Sequence, residues 1–144
     1  YRMTELQAAL GLSQMNRLDT YVARRHELAD RYDQLLMELP LVLPWQHPEG
    51  YSGRHLYVIR LKLDLIAKSH LEIFEALTGK GIGVNVHYIP VYRHPYFQQL
   101  GYKKIDYPNS EIYYSAAISL PLYQTLMNGD QDKVVQSLKE VLAS

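Results

Sequence analysis

From Thr4 to Leu39 the chain reads as helix almost without interruption, and this restricts the fold more than any other feature. Thr4 and Gln7 have the spacing of a capping box, followed by apolar Leu6, Ala9, Leu10 and Met15. From Leu18 onward, Val22, Ala29, Tyr32, Leu36 and Leu39 mark one helical face, with Arg25 its single polar member. Pro40 ends the run. A rod from Glu5 to Leu39 would be about 50 Å long at about 1.5 Å per residue. A compact domain of this size has a radius of gyration of only about 15 Å. The helix must therefore break, near Gly11 or Asn16, or project toward a partner. We expect a break together with a partner surface.

The rest of the chain alternates strand and helix signals. Leu41 to Gly53 is a Pro- and Gly-containing loop that holds the only tryptophan, Trp45. His55 to Leu63 is rich in β-branched and aromatic residues and reads as a strand. Ser69 and Glu72 form a second capping-box pair, opening a helix that carries Leu71, Phe74 and Leu77, with Gly81 at the C-cap. Residues 82–88 alternate as a second strand would. A Tyr- and Pro-rich segment from Ile89 to Tyr107 follows. Pro108 suits the first position of a short helix reaching Ala117, and Ile118 to Leu122 reads as a final short strand. Asp130 caps a last helix whose buried stripe is Val134, Leu138 and Val141, with Val135 and Leu142 beside it. The expected fold class is α+β: a long helical segment over residues 1–40, and a small domain over 41–144 whose sheet is mixed or antiparallel and packed with helices.

Charge and composition exclude several functions. Fifteen basic residues balance fifteen acidic ones, so no basic excess exists to neutralise a phosphate backbone. Arg24, Arg25 and Arg31 cluster, but Glu27, Asp30 and Asp33 interleave with them as on a solvated helix face. The absence of cysteine removes disulfides and thiolate metal sites, and fits a reducing, cytoplasmic setting. No apolar run approaches the length of a bilayer, and no signal peptide is read. His87 and His94 are seven residues apart with no carboxylate between them, which is not a zinc spacing, so no metal is expected.

The stretch His87-Tyr-Ile-Pro-Val-Tyr-Arg-His94 is the most chemically dense in the chain. On pattern alone its tyrosines are packing residues and its histidines exposed; the functional alternative is a polar, aromatic wall for a hydroxylated ligand. None of the seven lysines sits in the apolar, small-residue context that a Schiff-base lysine with depressed pKa requires, so the chain holds no covalent nucleophile of its own.

Several of these segments resemble a known family. Tyr1-Arg-Met-Thr-Glu-Leu-Gln-Ala-Ala9, Gln14, Leu18, Arg24-Arg25, His55-Leu-Tyr57, Gly81 to Pro90, Tyr96 to Tyr102 and Ile118 to Leu122 occur in the order found in DegT/StrS-type sugar aminotransferases. The wording of the Val-His-Tyr-Ile-Pro segment is most similar to the branch that aminates UDP-linked 4-keto-6-deoxy sugars for pseudaminic-acid-type glycans. The resemblance implies the C-terminal small domain of a fold-type-I enzyme dependent on pyridoxal 5'-phosphate (PLP), working as a homodimer. A nucleotide sugar would be its substrate and glutamate its amino donor.

It also implies that the cofactor-binding lysine lies upstream of the Asn-Tyr-Arg motif, of which Tyr1 and Arg2 remain here as cofactor-side residues. His87 matches a position near the sugar nucleotide, with Tyr88, Tyr92 and His94 as further substrate-binding candidates; the alternative for His87 is a structural histidine bonded to backbone. On this expectation the chain is inactive alone. Two other readings compete: a sugar-nucleotide 3-dehydratase on the same scaffold, with histidine replacing the lysine, and a non-enzymatic α+β module binding protein or single-stranded RNA through its aromatics.

Overall fold

A computed structural model describes residues 2–143. The long helical run does break. Helix α1 spans Glu5–Met15 and α2 spans Leu18–Leu36, separated at Asn16 and Arg17. The Thr4–Gln7 capping box forms in both directions, which satisfies orphan donors at the start of α1. No residue of α1 is buried. Burial begins only in the second half of α2, at Leu28, Ala29, Tyr32 and Leu36. The expected face is therefore half right: Leu18 is exposed, Val22 only half-buried, and Leu28 supplies an anchor outside the stripe. Arg25 is half-buried, and its Nε has no hydrogen-bond partner among the described residues.

Three short antiparallel strands make the sheet, in the order β1 (Leu41–Val42), β2 (Tyr57–Leu61), β3 (Ala117–Leu120). On β2 the burial alternates, with Tyr57, Ile59 and Leu61 inside and Val58 and Arg60 half-covered, as a period-two strand requires. Tyr57 pairs with Leu120 and Ile59 with Ile118, so the buried side chains of the two strands meet in register. Helices α3 (His70–Gly79) and α6 (Asn128–Ala143) complete the core with Ile73, Leu77, Val134, Val135, Leu138 and Val141. The structure is thus the α+β arrangement expected, and the second half of α2 belongs to the same core as the sheet.

Polar stitches fix α2 against α6 and the sheet. Gln131, fully buried, donates from Nε2 to the Leu28 carbonyl at 2.7 Å, while its Oε1 accepts from Arg31. Tyr32 donates to the Pro121 carbonyl and Tyr57 to the Asp33 carboxylate. Burial comes first in raising both phenol pKa values, and for Tyr57 the Asp33 carboxylate adds to it. Each hydroxyl is a neutral donor throughout the physiological range.

Two expectations for the middle of the chain divide. The Ser69–Glu72 capping box opens α3, and Gly81 closes it with φ of 77°, where a side chain would be strained. The N–H groups of Gly81 and Ile82 return to the carbonyls of Thr78 and Leu77, which is a Schellman ending. Of the apolar residues assigned to α3, Leu77 is buried, but Leu71 is exposed and Ile73 takes its place. Residues 82–88, expected as a strand, form no ladder. The Val84 N–H turns back to the Ile82 carbonyl and the Val86 N–H is taken by the Asn85 side chain. With those donors spent locally, a single bridge remains, Asn85 to Ser119 on the outer edge of β3.

Candidate functional site

The bridge at Asn85 places the chemically dense segment. Ser119, in the middle of β3, gives its N–H and carbonyl to Asn85 at 2.7 and 3.2 Å. Two residues beyond Asn85, the His87 Nδ1 lies 2.7 Å from the Ser119 Oγ. The Ser119 side chain sits between apolar strand neighbours and the residue is only 4% exposed. The His87 partner is therefore a buried side-chain hydroxyl and not backbone. Its ring also meets the Tyr88 ring edge-on at 4.6 Å, and the peptide joining the two residues is cis. Tyr88 itself is 73% exposed.

From Tyr88 the chain makes an excursion over a single 3-10 turn at Val91–Arg93, helix α4 (Pro95–Gln99), a second turn at Lys104–Asp106, and helix α5 (Pro108–Ala116), which leads into β3. Pro95 and Pro108 start the two helices, where their missing N–H costs nothing. One carboxylate ties this excursion together. Glu111, on α5, accepts from the Tyr92 hydroxyl and from the Arg93 Nε, both at 2.8 Å, and pairs with a terminal nitrogen of Arg93 and with Lys104. Tyr92 stacks on Tyr107 at 4.5 Å, and the Arg93 guanidinium lies 4.7 Å over the Tyr114 ring.

These donors, Arg93 first, hold the Glu111 carboxyl far below its ordinary 4.5, at about 2. A carboxylate whose pKa is depressed on folding stabilises the fold above its unfolded value and loses that contribution as pH falls through the folded one. The excursion should therefore loosen between pH 4.5 and about 2. The tyrosine near-ultraviolet circular dichroism should fall across that window, and Glu111→Gln should show the weakened signal already at pH 7. An unchanged spectrum in the variant would refute the clasp.

A cleft of about 500 Å3 opens beside this clasp, walled by Tyr88, Val91, Tyr92, Tyr107, Tyr113 and Tyr114, with Asn109 and Ser110 as its polar members. Such a volume lies within the range of small-ligand sites. The structure thus brings three of the four substrate-side candidates into one neighbourhood: Tyr88 and Tyr92 line the cleft, and His87 packs against Tyr88. Tyr92 offers its ring only, because it is buried and its hydroxyl is committed to Glu111. His94 is exposed, starts α4 through its backbone, and does not line the cleft. Arg2 is exposed ahead of α1, and Tyr1 lies outside the described residues.

Sequence reasoning missed Glu111, Tyr107 and Ser119. Of these, only Ser119 carried a local signal, as the one polar residue inside an apolar strand.

The lysines lie at the surface and are largely engaged in polar contacts. None is buried. Lys80, Lys104 and Lys133 are in ion pairs, and Lys68 donates to the Val141 carbonyl. No lysine of this chain has the burial that the covalent anchor of PLP requires. Among the described residues there is also no cluster of His, Asp or Glu able to hold a metal.

Comparison with known proteins agrees with this geometry. Residues 1–139 match the model of the DegT/DnrJ/EryC1/StrS aminotransferase family. The spore coat polysaccharide biosynthesis protein SpsC of Bacillus subtilis is 41% identical over 143 residues, covering 97% of this chain and 37% of its own length. The putative sugar aminotransferase Spr1654 from Streptococcus pneumoniae, solved in apo, PMP and PLP forms, superposes in its apo form with a TM-score of 0.89 at 30% identity, over 99% of this chain and 36% of that one. Helicobacter pylori PseC, an aminotransferase involved in the biosynthesis of pseudoaminic acid, gives 0.86 at 30% identity, over 99% and 38%. The chain spans less than two fifths of the length of each relative. With the ordered motifs, the shared fold and a family match over nearly its whole length, the chain belongs to the DegT/DnrJ/EryC1/StrS aminotransferase family.

Proposed function

We propose that this chain is the small-domain part of a PLP-dependent enzyme that transfers an amino group from glutamate to a keto sugar nucleotide. Residues 1–40 form the link to the large domain and residues 41–144 the small α+β domain. The remaining length of the relatives leaves room for the lysine that this chain lacks, and PLP belongs with that missing part. By the family resemblance Tyr1 and Arg2 belong to the cofactor side of the parent, and the parent is a cytoplasmic homodimer serving polysaccharide biosynthesis. None of the described helices is long and apolar enough to cross a membrane.

The observation that supports the substrate side is His87, held on Ser119 through one ring nitrogen and set beside the Tyr88-lined cleft. Its other nitrogen, Nε2, makes no hydrogen bond among the described residues and is available to a ligand oxygen. The tyrosine faces suit the apolar face of a sugar ring or a base, and Asn109 and Ser110 can meet hydroxyl groups. His94 is the weakest of the substrate candidates, since it stands away from the cleft lining.

The test uses the full-length enzyme that carries this chain, supplied with PLP, glutamate and a UDP-linked 4-keto-6-deoxy sugar. An aminated sugar nucleotide is the expected product by mass spectrometry. His87→Ala should lower kcat/KM by about 10–100-fold, which corresponds to about 1.4–2.7 kcal/mol of lost transition-state binding. A dehydrated product in place of an amine would move the assignment to the 3-dehydratase reading. Full activity in His87→Ala would remove His87 from the site.

A further inference from the structure

Ser119 is explained neither by the core nor by the sheet. It is the only polar residue of β3, a strand in which all four residues are buried. Its backbone groups are already used by Asn85. A buried hydroxyl that lacks a partner costs about 1–3 kcal/mol, so an alanine here would be the simpler choice for stability alone. The one partner of the Ser119 Oγ among the described residues is the His87 Nδ1, at 2.7 Å.

That single contact has a direction. If Nδ1 carried the proton and the hydroxyl accepted it, the hydroxyl hydrogen would have no acceptor in a residue that is 4% exposed. If the hydroxyl donates to Nδ1, its hydrogen is satisfied and only acceptor lone pairs on the oxygen are left over, a cheaper deficit than an unpaired donor. The neutral ring then carries its proton on Nε2, the nitrogen with no partner among the described residues.

We infer that Ser119 is a positioning residue that holds His87 in the Nε2–H form, so that the ring presents a hydrogen-bond donor to an oxygen of the sugar-nucleotide substrate. The assignment of that substrate rests on the function proposed above; the orientation and tautomer do not. In this arrangement His87 binds and orients through a donated hydrogen bond. While neutral, it is not a proton acceptor at Nε2. Preference for a ligand oxygen follows, because an Nε2–H aimed at a donor group would leave two hydrogens opposed.

Two measurements test this, one of which needs no catalysis. Long-range nitrogen–proton NMR on the full chain, with the His87 ring assigned by comparison with His87→Gln and recorded at alkaline pH, should show a protonated Nε2 and an unprotonated, hydrogen-bonded Nδ1. Ser119→Ala should shift the Nδ1 resonance toward that of a free ring, and Ser119→Thr, which keeps the hydroxyl, should restore it. A protonated Nδ1 in the wild-type chain would overturn the inference whatever reaction the enzyme performs.

In the full-length enzyme, Ser119→Ala should raise KM for the sugar nucleotide by about tenfold with kcat changed by less than about twofold, and Ser119→Thr should bring KM back, as loss and return of one oriented hydrogen bond predicts. Equal loss in the alanine and threonine variants would mark Ser119 as a packing residue and sink the proposal. Absence of amination altogether would overturn the proposed reaction and leave the NMR result to stand or fall separately.

Discussion

Leu138→Ala should destabilise the chain by about 2–5 kcal/mol, the cost of removing a leucine from a core that cannot collapse around the space. Leu138 is fully buried on α6 and belongs to the cluster that includes Ile59, Ile73, Leu77 and Ile118. Its helix packs against both α3 and α2, and Val134, Val135 and Val141 are buried on α6 on either side of it. Those β-branched neighbours have little rotamer freedom with which to fill a hole. The measurement is urea unfolding followed by circular dichroism, reading the midpoint at constant slope. Leu6→Ala is the matched control, because Leu6 is 85% exposed on α1 and loses no packing within this chain. If the two variants unfolded at the same denaturant concentration, the packing of α6 described here would be wrong.

Helix ends and turns were legible because their causes are local. Each capping box needs only a hydroxyl and an amide or carboxylate three residues apart, and both form as expected at Thr4–Gln7 and Ser69–Glu72. Gly81 closes α3, and Asn16 marks the break between α1 and α2, for equally short-range reasons. The failure at residues 82–88 has the opposite cause. Their alternation has the period of a strand, but pairing depends on free backbone donors, and a turn at Ile82–Val84 and the Asn85 side chain consume them.

The first half of α2 shows the same limit, since periodicity identifies a face without saying how much of it the domain will cover. At the site, His87 and Tyr88 were reached through resemblance and by the density of the segment. Glu111 and Ser119 were not, because their contacts to Arg93 and His87 span 18 and 32 residues.

Analytical ultracentrifugation of the chain should show concentration-dependent self-association, and Leu6→Glu combined with Leu10→Glu should weaken it by about 100-fold or more. The cause lies in α1. It has 11 residues, and an isolated helix of that length is marginal in water. Met3, Leu6, Leu10, Leu12 and Met15 are each more than 60% exposed, and Leu6 and Leu10 stand one turn apart on the same side. A second exposed apolar area lies on the excursion, where Ile89, Val91, Ile105 and Ile112 are all more than half exposed. Exposed apolar side chains in such number favour association.

Full burial of a leucine is worth about 1.5–3 kcal/mol. Two leucines contributed by each of two copies therefore exceed the roughly 2.7 kcal/mol that a 100-fold change in affinity requires, even after partial burial and ordering costs are allowed for. At a protein concentration low enough for both forms to be monomeric, the charged pair should leave the unfolding midpoint of the core nearly where it was, since neither position touches that core. A sharp monomer at high concentration in the wild-type chain would show that α1 is stable uncovered. Retention of association in the double variant would place the contact on the excursion instead, beside the Tyr88 cleft, where a second copy would compete directly with a ligand.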